Sequence, residues 1–500
     1  MNNVLNFVNF VRGCEPRDPS LDLYKPVYEQ IKLNKEKDVK STFLLQYDAM
    51  LRKDFRDLFL KEKNENLELG IWFEVVRPLA EKVNIAWRGR PGYDWDWFVN
   101  PGFLMSYTQD ERVKLIDENF RLFKEIFGEY PQVVGSWLID SFSMDYMDKK
   151  YGIKAFAICR EQYSVDAYTL WGGYFSGGYY PSKINMLCPA KTEKMQIDVP
   201  VFRMLGTDPI YGYGGNSQPK PHLTGCYTME PVWPCGKDED VLRWYFKTYY
   251  ENNCLSGSYA TTGQENSFGW ESMEKGYKIQ LDLAKEYEAA GKLRIETLGE
   301  TGDAFKKKFS KTPASVLSAF EDWDKNSLQS FWYDCINYRA NLFFDSGKLF
   351  FRDIQQFDET IEDDYNKIPC TDWKAEYYSL PIVDFRLLSD EENLSCLEFE
   401  KEAQKLISSK ELSESEIEVK VLFKDGETGT VHFGENGITL YNCGEMNWSF
   451  GLSNATVTGK SVEFTNKDKH YSVLLSAFAD SYENGLKIKP DDNTVSLKIG

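Results

Sequence analysis

The segment Thr262-Gly263-Gln264-Glu265-Asn266 places one carboxylate where a buried apolar run ends and helical spacing begins. Upstream, Ser256 to Thr262 reads as a short strand; downstream, Trp270, Tyr277, Leu281 and Tyr287 have mostly helical spacing up to Gly291, a natural stop. In barrels of alternating strands and helices the chemistry gathers at the carboxyl ends of the strands, which puts Glu265 in position to project into a site. The same position also suits a carboxylate that merely caps a first helical turn, where the helix dipole favours it. Val133 to Ile139 repeats the pattern and ends at Asp140, and Leu67 to Val75 carries Glu74 near its end. Three strand-end carboxylates in one region point to acid/base chemistry, with Glu265 as acid/base, Asp140 as nucleophile or base, and Glu74 competing for either role. Asp48 and Glu15, after two further strand-like runs, are weaker candidates of the same kind, as are Asp208 and Glu230, each next to a proline in a loop-like context.

Histidine is scarce, and that limits the alternatives. His222, His432 and His470 are the whole complement, so a zinc site with several imidazoles from one region cannot be assembled, and a Ser-His-Asp triad would have to rest on His222 or on the C-terminal part. The reading is therefore of an enzyme with no metal and no cofactor. Ten cysteines without a Cys-x-x-Cys pair fit reduced core thiols better than a disulfide framework. A net charge of -19 disfavours nucleic acid and anionic membranes as partners, and no apolar run approaches the roughly 20 residues of a membrane span. The amino terminus lacks the features of a signal peptide, so the chain reads as cytoplasmic.

The elements needed to hold these carboxylates follow from periodicity. Roughly the first 310 residues alternate strand-like with helix-like segments, and seven or eight such repeats approach closure into a barrel. The helix from Thr108 is the clearest: Thr108 and Glu111 form a capping box, Val113, Ile116, Phe120, Phe123 and Phe127 line one face, and Gly128 ends it. No Gly-x-Gly-x-x-Gly follows a strand, which weakens a dinucleotide-binding alternative. Beyond about Gln329 the texture changes to short alternating runs broken by turns such as Glu435-Asn436-Gly437, the mark of a β-sandwich. The expected organisation is an α/β protein: a distorted (β/α)7-type barrel over residues 1-312, a linker helix over 313-328, and a β-sandwich over 329-500. Residues 402-418, rich in Lys, Glu and Ser, read as a solvated insertion or connection.

Aromatic residues make up 15% of the chain, and two glycine-containing loops concentrate them: Trp87 to Phe98, with Trp95, and Tyr168 to Tyr180, with Trp171 and Tyr174. Flat apolar faces beside Asp and Arg suit pyranose rings, which present C-H faces and a rim of hydroxyls; packing over the barrel mouth is the alternative for each ring. Trp72, Trp137 and Trp270 lie beside the three strand-end carboxylates and join the candidate binding residues. Arg12, Arg17 and Arg88 would bind hydroxyls or lower a neighbouring carboxylate's pKa, or else form structural ion pairs.

Trp137-Leu138-Ile139-Asp140 resembles the Trp-Leu-Pro-Glu strand end that bears the nucleophile in family fifty-seven glycoside hydrolases, and Gly263 to Trp270 resembles their later acidic strand-to-helix motif. The resemblance implies the seven-stranded distorted barrel of the glycoside hydrolase/deacetylase superfamily. Asn9-Phe10-Val11-Arg12-Gly13-Cys14-Glu15-Pro16-Arg17 is similar to the opening of a two-domain group of bacterial hydrolases of unassigned activity. Asp140 departs from the family Glu by one methylene, and the histidine-rich start of the glycosidases is absent, as are the Asp and two His that the deacetylase branch uses for metal. The function expected is cleavage of a carbohydrate or glycoside by paired carboxylates. The alternatives are a non-catalytic carbohydrate-binding or sensing protein, and hydrolysis of an amide or ester on the same barrel.

Overall fold

The computed structural model describes residues 3-213, 227-477 and 479-500. Seven parallel strands form a curled sheet in the spatial order Tyr259–Thr262, Val4–Val11, Ser41–Leu45, Leu67–Trp72, Val133–Gly135, Ala155–Cys159 and Val201–Met204. The two ends of this row approach each other, where the Gly206 N–H donates to the Thr261 carbonyl at 2.7 Å. An eighth short strand, Arg294–Glu296, also pairs with Val4–Val11. The strands are mostly short and almost wholly buried, because helices cover one face and a second core of Val4, Val8, Phe10, Leu44, Trp72 and Phe202 fills the inside. Helix Gln109–Phe127 starts with the capping box of Thr108 and Glu111 and stops at Gly128, whose φ of 85° is the left-handed conformation glycine adopts freely.

The second half is a sandwich of two antiparallel sheets. One carries Ser315–Ala319, Gln329–Asp334, Tyr338–Asp345, Lys348–Gln356, Ser395–Phe399, Met446–Phe450, Gly485–Ile488 and Ala479–Tyr482 in that spatial order. The other runs from Ala403–Glu411 through Ile417–Phe423, Thr428–Gly434 and Gly437–Tyr441 to the strands of the carboxyl terminus. Their inner faces interlock in one core that includes Phe331, Phe351 and Trp448 from the first and Val421, Leu440 and Leu497 from the second.

Two expected elements differ. Residues 313-328 do not form a linker helix: Ser315–Ala319 is a fully buried strand that begins the sandwich by pairing with Gln329–Asp334. A short apolar run such as Val316-Leu317-Ser318-Ala319-Phe320 fits helical spacing as well as strand, and tertiary pairing decides. Residues 402-418 are no loose insertion; Ala403–Glu411 is an edge strand whose exposed Lys and Glu side chains face water.

Candidate active site

Six of the seven barrel strands send a residue from just beyond their carboxyl ends into one cavity of about 320 Å³: Arg12, Glu74, Trp137, Arg160, Leu205 and Glu265. Trp95, Trp97, Phe103, Gln162, Asp166, Tyr168, Glu230, Trp233, Phe268 and Arg17 complete the wall.

Arg12 is the centre of the floor. Its guanidinium is 2% exposed and lies 3.7 Å over the ring of Trp95. The Nη2 atom stands 3.2 Å from Glu74 Oε2 and 3.0 Å from Glu265 Oε2, so one nitrogen joins two carboxylates from strands on opposite sides of Val4–Val11 in the sheet order. Arg12 Nε and Nη1 are buried without a hydrogen-bond partner, and so is Glu265 Oε2 in spite of its ion pair. Buried polar atoms are normally satisfied, so these three stand out on the floor against the Trp95 ring.

Glu74 takes its orientation from Trp72. That indole, sandwiched against Phe10 at 4.1 Å, donates its Nε1–H to Glu74 Oε2 at 2.9 Å. Burial pushes the Glu74 carboxyl up to about 7; Arg12 and the Trp72 N–H pull against that rise, and the charge of Glu265 adds to it. Glu265 is not a helix cap. No cap bond forms from its side chain, which accepts the Ser267 hydroxyl at 2.7 Å and turns to Arg12, while Gly269, at φ 75°, separates a short turn from helix Trp270–Ala289. Glu230 reaches the wall from a loop and accepts from Thr228 Oγ1 at 3.0 Å and Trp233 Nε1 at 3.2 Å. Burial raises its pKa, opposed mainly by Arg160.

The structure does not bring Asp140 to this cavity. Its buried carboxylate pairs with Arg112 Nη1 at 2.7 Å and accepts the Ser143 N–H at 3.0 Å, capping helix Ser141–Tyr151. Placed at the end of an apolar run, it performs the capping role that was open for Glu265. Several binding candidates also sit elsewhere. Asp48 is packed beneath Gly13, with Oδ1 accepting its neighbour's Ala49 N–H at 2.8 Å. Arg88 bonds the Ser106 carbonyl and Glu111 and covers the Tyr107 ring. Asp208 accepts Ile210 N, Tyr211 N and Trp323 Nε1. Trp171 donates to Asp384 at 2.8 Å and the Tyr174 hydroxyl to the Pro313 carbonyl at 2.6 Å, so these two rings are turned away from the cavity, and of the candidate loop Tyr168 lines it. Trp270 is core, edge-on to Tyr277. Trp72 and Glu15 act one step back from the cavity: the first holds Glu74, the second holds Arg17 through a forked ion pair at the rim.

Arg160, Gln162, Asp166, Trp233 and Phe268 were not anticipated as binding residues, and Trp97 lies in the first aromatic loop, from which Trp95 was singled out. Arg160 follows the readily legible strand Ala155–Cys159, and the rule that singled out Glu74 and Glu265 would have singled it out too. Gln162 and Asp166 belong to a hairpin, Gln162–Val165 with Tyr168–Trp171, that no periodicity marks. Among the described residues no group of three or more His, Cys, Asp or Glu is arranged to hold a metal ion. A site of one Asp and two His does not fit the described floor, where a guanidinium stands between the carboxylates; His222 lies outside the described residues.

No protein-family model matches the sequence, and no curated protein matches it significantly. Solved structures do. One is described as a "putative glycoside hydrolase/deacetylase" from Parabacteroides distasonis, with TM-score 0.56, 15% identity, and coverage of 75% of this chain and 89% of that one. Another, described as a "putative polysaccharide deacetylase" from Mycobacterium smegmatis, has TM-score 0.40 and 12% identity over 62% of this chain and 93% of that one. The chain thus shares its fold with the first of these structures: a curled barrel followed by a sheet-rich C-terminal part.

Proposed function

We propose that this protein hydrolyses a glycosidic bond of a small carbohydrate or glycoside with Glu74 and Glu265. The observation that carries the reading is the Glu74–Arg12–Glu265 array on the floor of an aromatic-walled cavity at the carboxyl ends of the strands. Glu74, with its pKa pushed up to about 7 by burial, keeps a proton near neutrality and delivers it to the leaving oxygen. Glu265, with Arg12 beside it, supplies the second carboxylate, and the free Arg12 N–H groups bind sugar hydroxyls. Asp140, tied to Arg112, is replaced by Glu74 in this pairing.

Two carboxylate oxygens within 3.2 Å of a single nitrogen lie no further apart than twice that distance. The nearest oxygens are thus closer than the roughly 6.5-9.5 Å between the carboxyl groups of inverting pairs, which favours retention, with Glu265 as nucleophile. The cavity's 320 Å³ lies at the low end of the roughly 300-1,000 Å³ of small-molecule sites, which favours one or two sugar units over a polymer lying across a groove.

A panel of aryl glycosides and short oligosaccharides tests the activity, and nuclear magnetic resonance of the first-formed anomer tests retention. Glu265→Gln is expected to bind sugar and to lose the nucleophile's turnover and, because it leaves the buried Arg12 short of a counter-charge, to melt at a lower temperature while still folding. Binding without turnover in the unsubstituted protein would make it a carbohydrate-binding protein, and turnover by Glu265→Gln would remove Glu265 from the chemistry.

A further inference from the structure

Two of the cavity's walls are built by separate loops of the barrel half. Trp95, Trp97 and Phe103 come from one, and Arg160, Gln162, Asp166 and Tyr168 from the other. They meet where Phe103 and Tyr168 stand edge to face at 5.8 Å. Outside both walls lies residues 370-378, a segment of the C-terminal half, and it is bonded to each.

Toward the first wall, the Cys370 N–H donates to the Met105 carbonyl at 3.1 Å, Thr371 O accepts Asn100 Nδ2 at 2.9 Å, and Trp373 O accepts the Val99 N–H at 3.0 Å. The Trp373 ring packs edge-on to Phe98 at 4.8 Å, and Phe98 in turn stacks on the cavity residue Trp97 at 5.7 Å. Toward the second wall, the Ala375 N–H donates to the Ala167 carbonyl at 3.1 Å, and Ala375–Tyr378 continues as a parallel strand on Tyr168–Trp171. Behind this strand a buried chain of charges fixes the same hairpin: Glu161 pairs with Arg203 at 3.0 Å and with Arg339 of the sandwich at 2.9 Å, and Arg339 pairs with Asp353 at 2.8 Å.

We infer that residues 370-378 are a clasp by which the C-terminal domain sets the spacing of the two cavity walls, and so the fit of the sugar, with Trp373 as the positioning residue. This rests on the carbohydrate reading of the cavity. Hydrogen bonds to both walls from one nine-residue segment have that consequence: neither wall shifts without straining the other. Trp373 touches no cavity volume itself and is 44% exposed, so it acts through Phe98 and Trp97 and its ring can be removed without opening the core.

The test uses the full chain and the aryl glycoside that the panel shows to be cleaved fastest. Trp373→Ala is expected to raise KM about tenfold with kcat within about twofold and the pH midpoint unmoved, because positioning for binding is lost while the carboxylates stay in place. Trp373→Phe, which keeps a ring against Phe98, restores KM. Ala375→Pro removes the N–H that bonds Ala167 and is expected to raise KM in the same way from the other wall. Where a variant folds poorly, hydrogen exchange of the unsubstituted chain gives the answer: sugar should slow exchange in residues 98-105 and 160-171 together. Unchanged KM in both variants, or protection of one wall alone, overturns the clasp. If the panel is bound but not cleaved, the catalytic reading fails and Kd replaces KM in the same comparison; if nothing is bound, both readings fall.

Discussion

At the scale of the residue, the assignment of Glu74 as proton donor rests on burial outweighing a neighbouring cation, and it has a signed consequence. A donor must hold its proton, so the rate is full on the acid side and falls as pH rises through about 7, where Glu74 ionises. Glu74→Gln should abolish this limb and cost about 10² to 10⁴ in rate, with less loss on an aryl glycoside whose leaving group needs no protonation. Trp72 provides a finer control. Its N–H stabilises the ionised carboxylate, so Trp72→Phe raises the Glu74 pKa further and moves the limb to higher pH. Initial rates across pH 5-9 check both; a limb moving to lower pH in Trp72→Phe contradicts the role given to that hydrogen bond.

At the scale of the element, Asp140 and Glu265 are the instructive pair, since both end a strand and precede a helix. Periodicity located the strands, the helix at Gln109–Phe127 and the change of texture near residue 329, because burial on one face or two writes directly into the pattern of apolar residues. What periodicity does not carry is the partner of a polar side chain. Arg12 follows Val4–Val11, two strands before the one that carries Glu74, and is over 250 positions from Glu265, and Arg112 reaches Asp140 from the preceding helix; nothing local distinguishes the two pairs. The distinction shows in substitution. Asp140→Asn keeps an acceptor for the Ser143 N–H but leaves the buried Arg112 charge unpaired, so it should cost about 3-5 kcal/mol of stability. Its kcat, measured on the folded fraction, should be that of the unsubstituted protein. A large fall in kcat with an unchanged melting temperature would return Asp140 to the chemistry. The aromatic loop of Tyr168 to Tyr180 misled for a related reason: flat rings beside glycine serve a domain contact as well as a sugar, and Phe175 lies on Trp332 of the sandwich at 3.6 Å.

At the scale of the whole molecule, the two halves are joined through buried carboxylates, and this sets how stability responds to pH. Burial pushes Asp363, beside the Asp140–Arg112 pair, and Asp334, which accepts the Phe175 N–H, up to about 7, and Asp353 up to about 6. Glu68, under the barrel, and Glu74 rise to about 7 for the same reason. A carboxyl whose pKa is higher folded than unfolded holds its proton more tightly in the folded state. Between its ordinary value near 4 and its raised value, the folded chain therefore binds more protons than the unfolded one, and stability falls as pH rises. Below about 4 the sign reverses for half-buried carboxylates such as Asp117 and Glu118, whose ion pairs with Lys150 and Arg121 lower their pKa and are lost on protonation. The melting temperature should therefore peak near pH 4 to 4.5 and fall by several degrees by about pH 7, since roughly 1 kcal/mol moves it by about 2-4 °C in domains of this size. The net charge of -19 adds self-repulsion in the same direction, and salt separates the two effects: exposed charges are screened at about 0.5 M salt, whereas buried carboxyls are screened much less. Scanning calorimetry at low and high salt across pH 4-9 is the measurement. A decline between about pH 4.5 and 7 that survives salt, and that shrinks in Asp363→Asn, locates the effect in the buried carboxyls between the halves; a decline that salt removes assigns it to net charge.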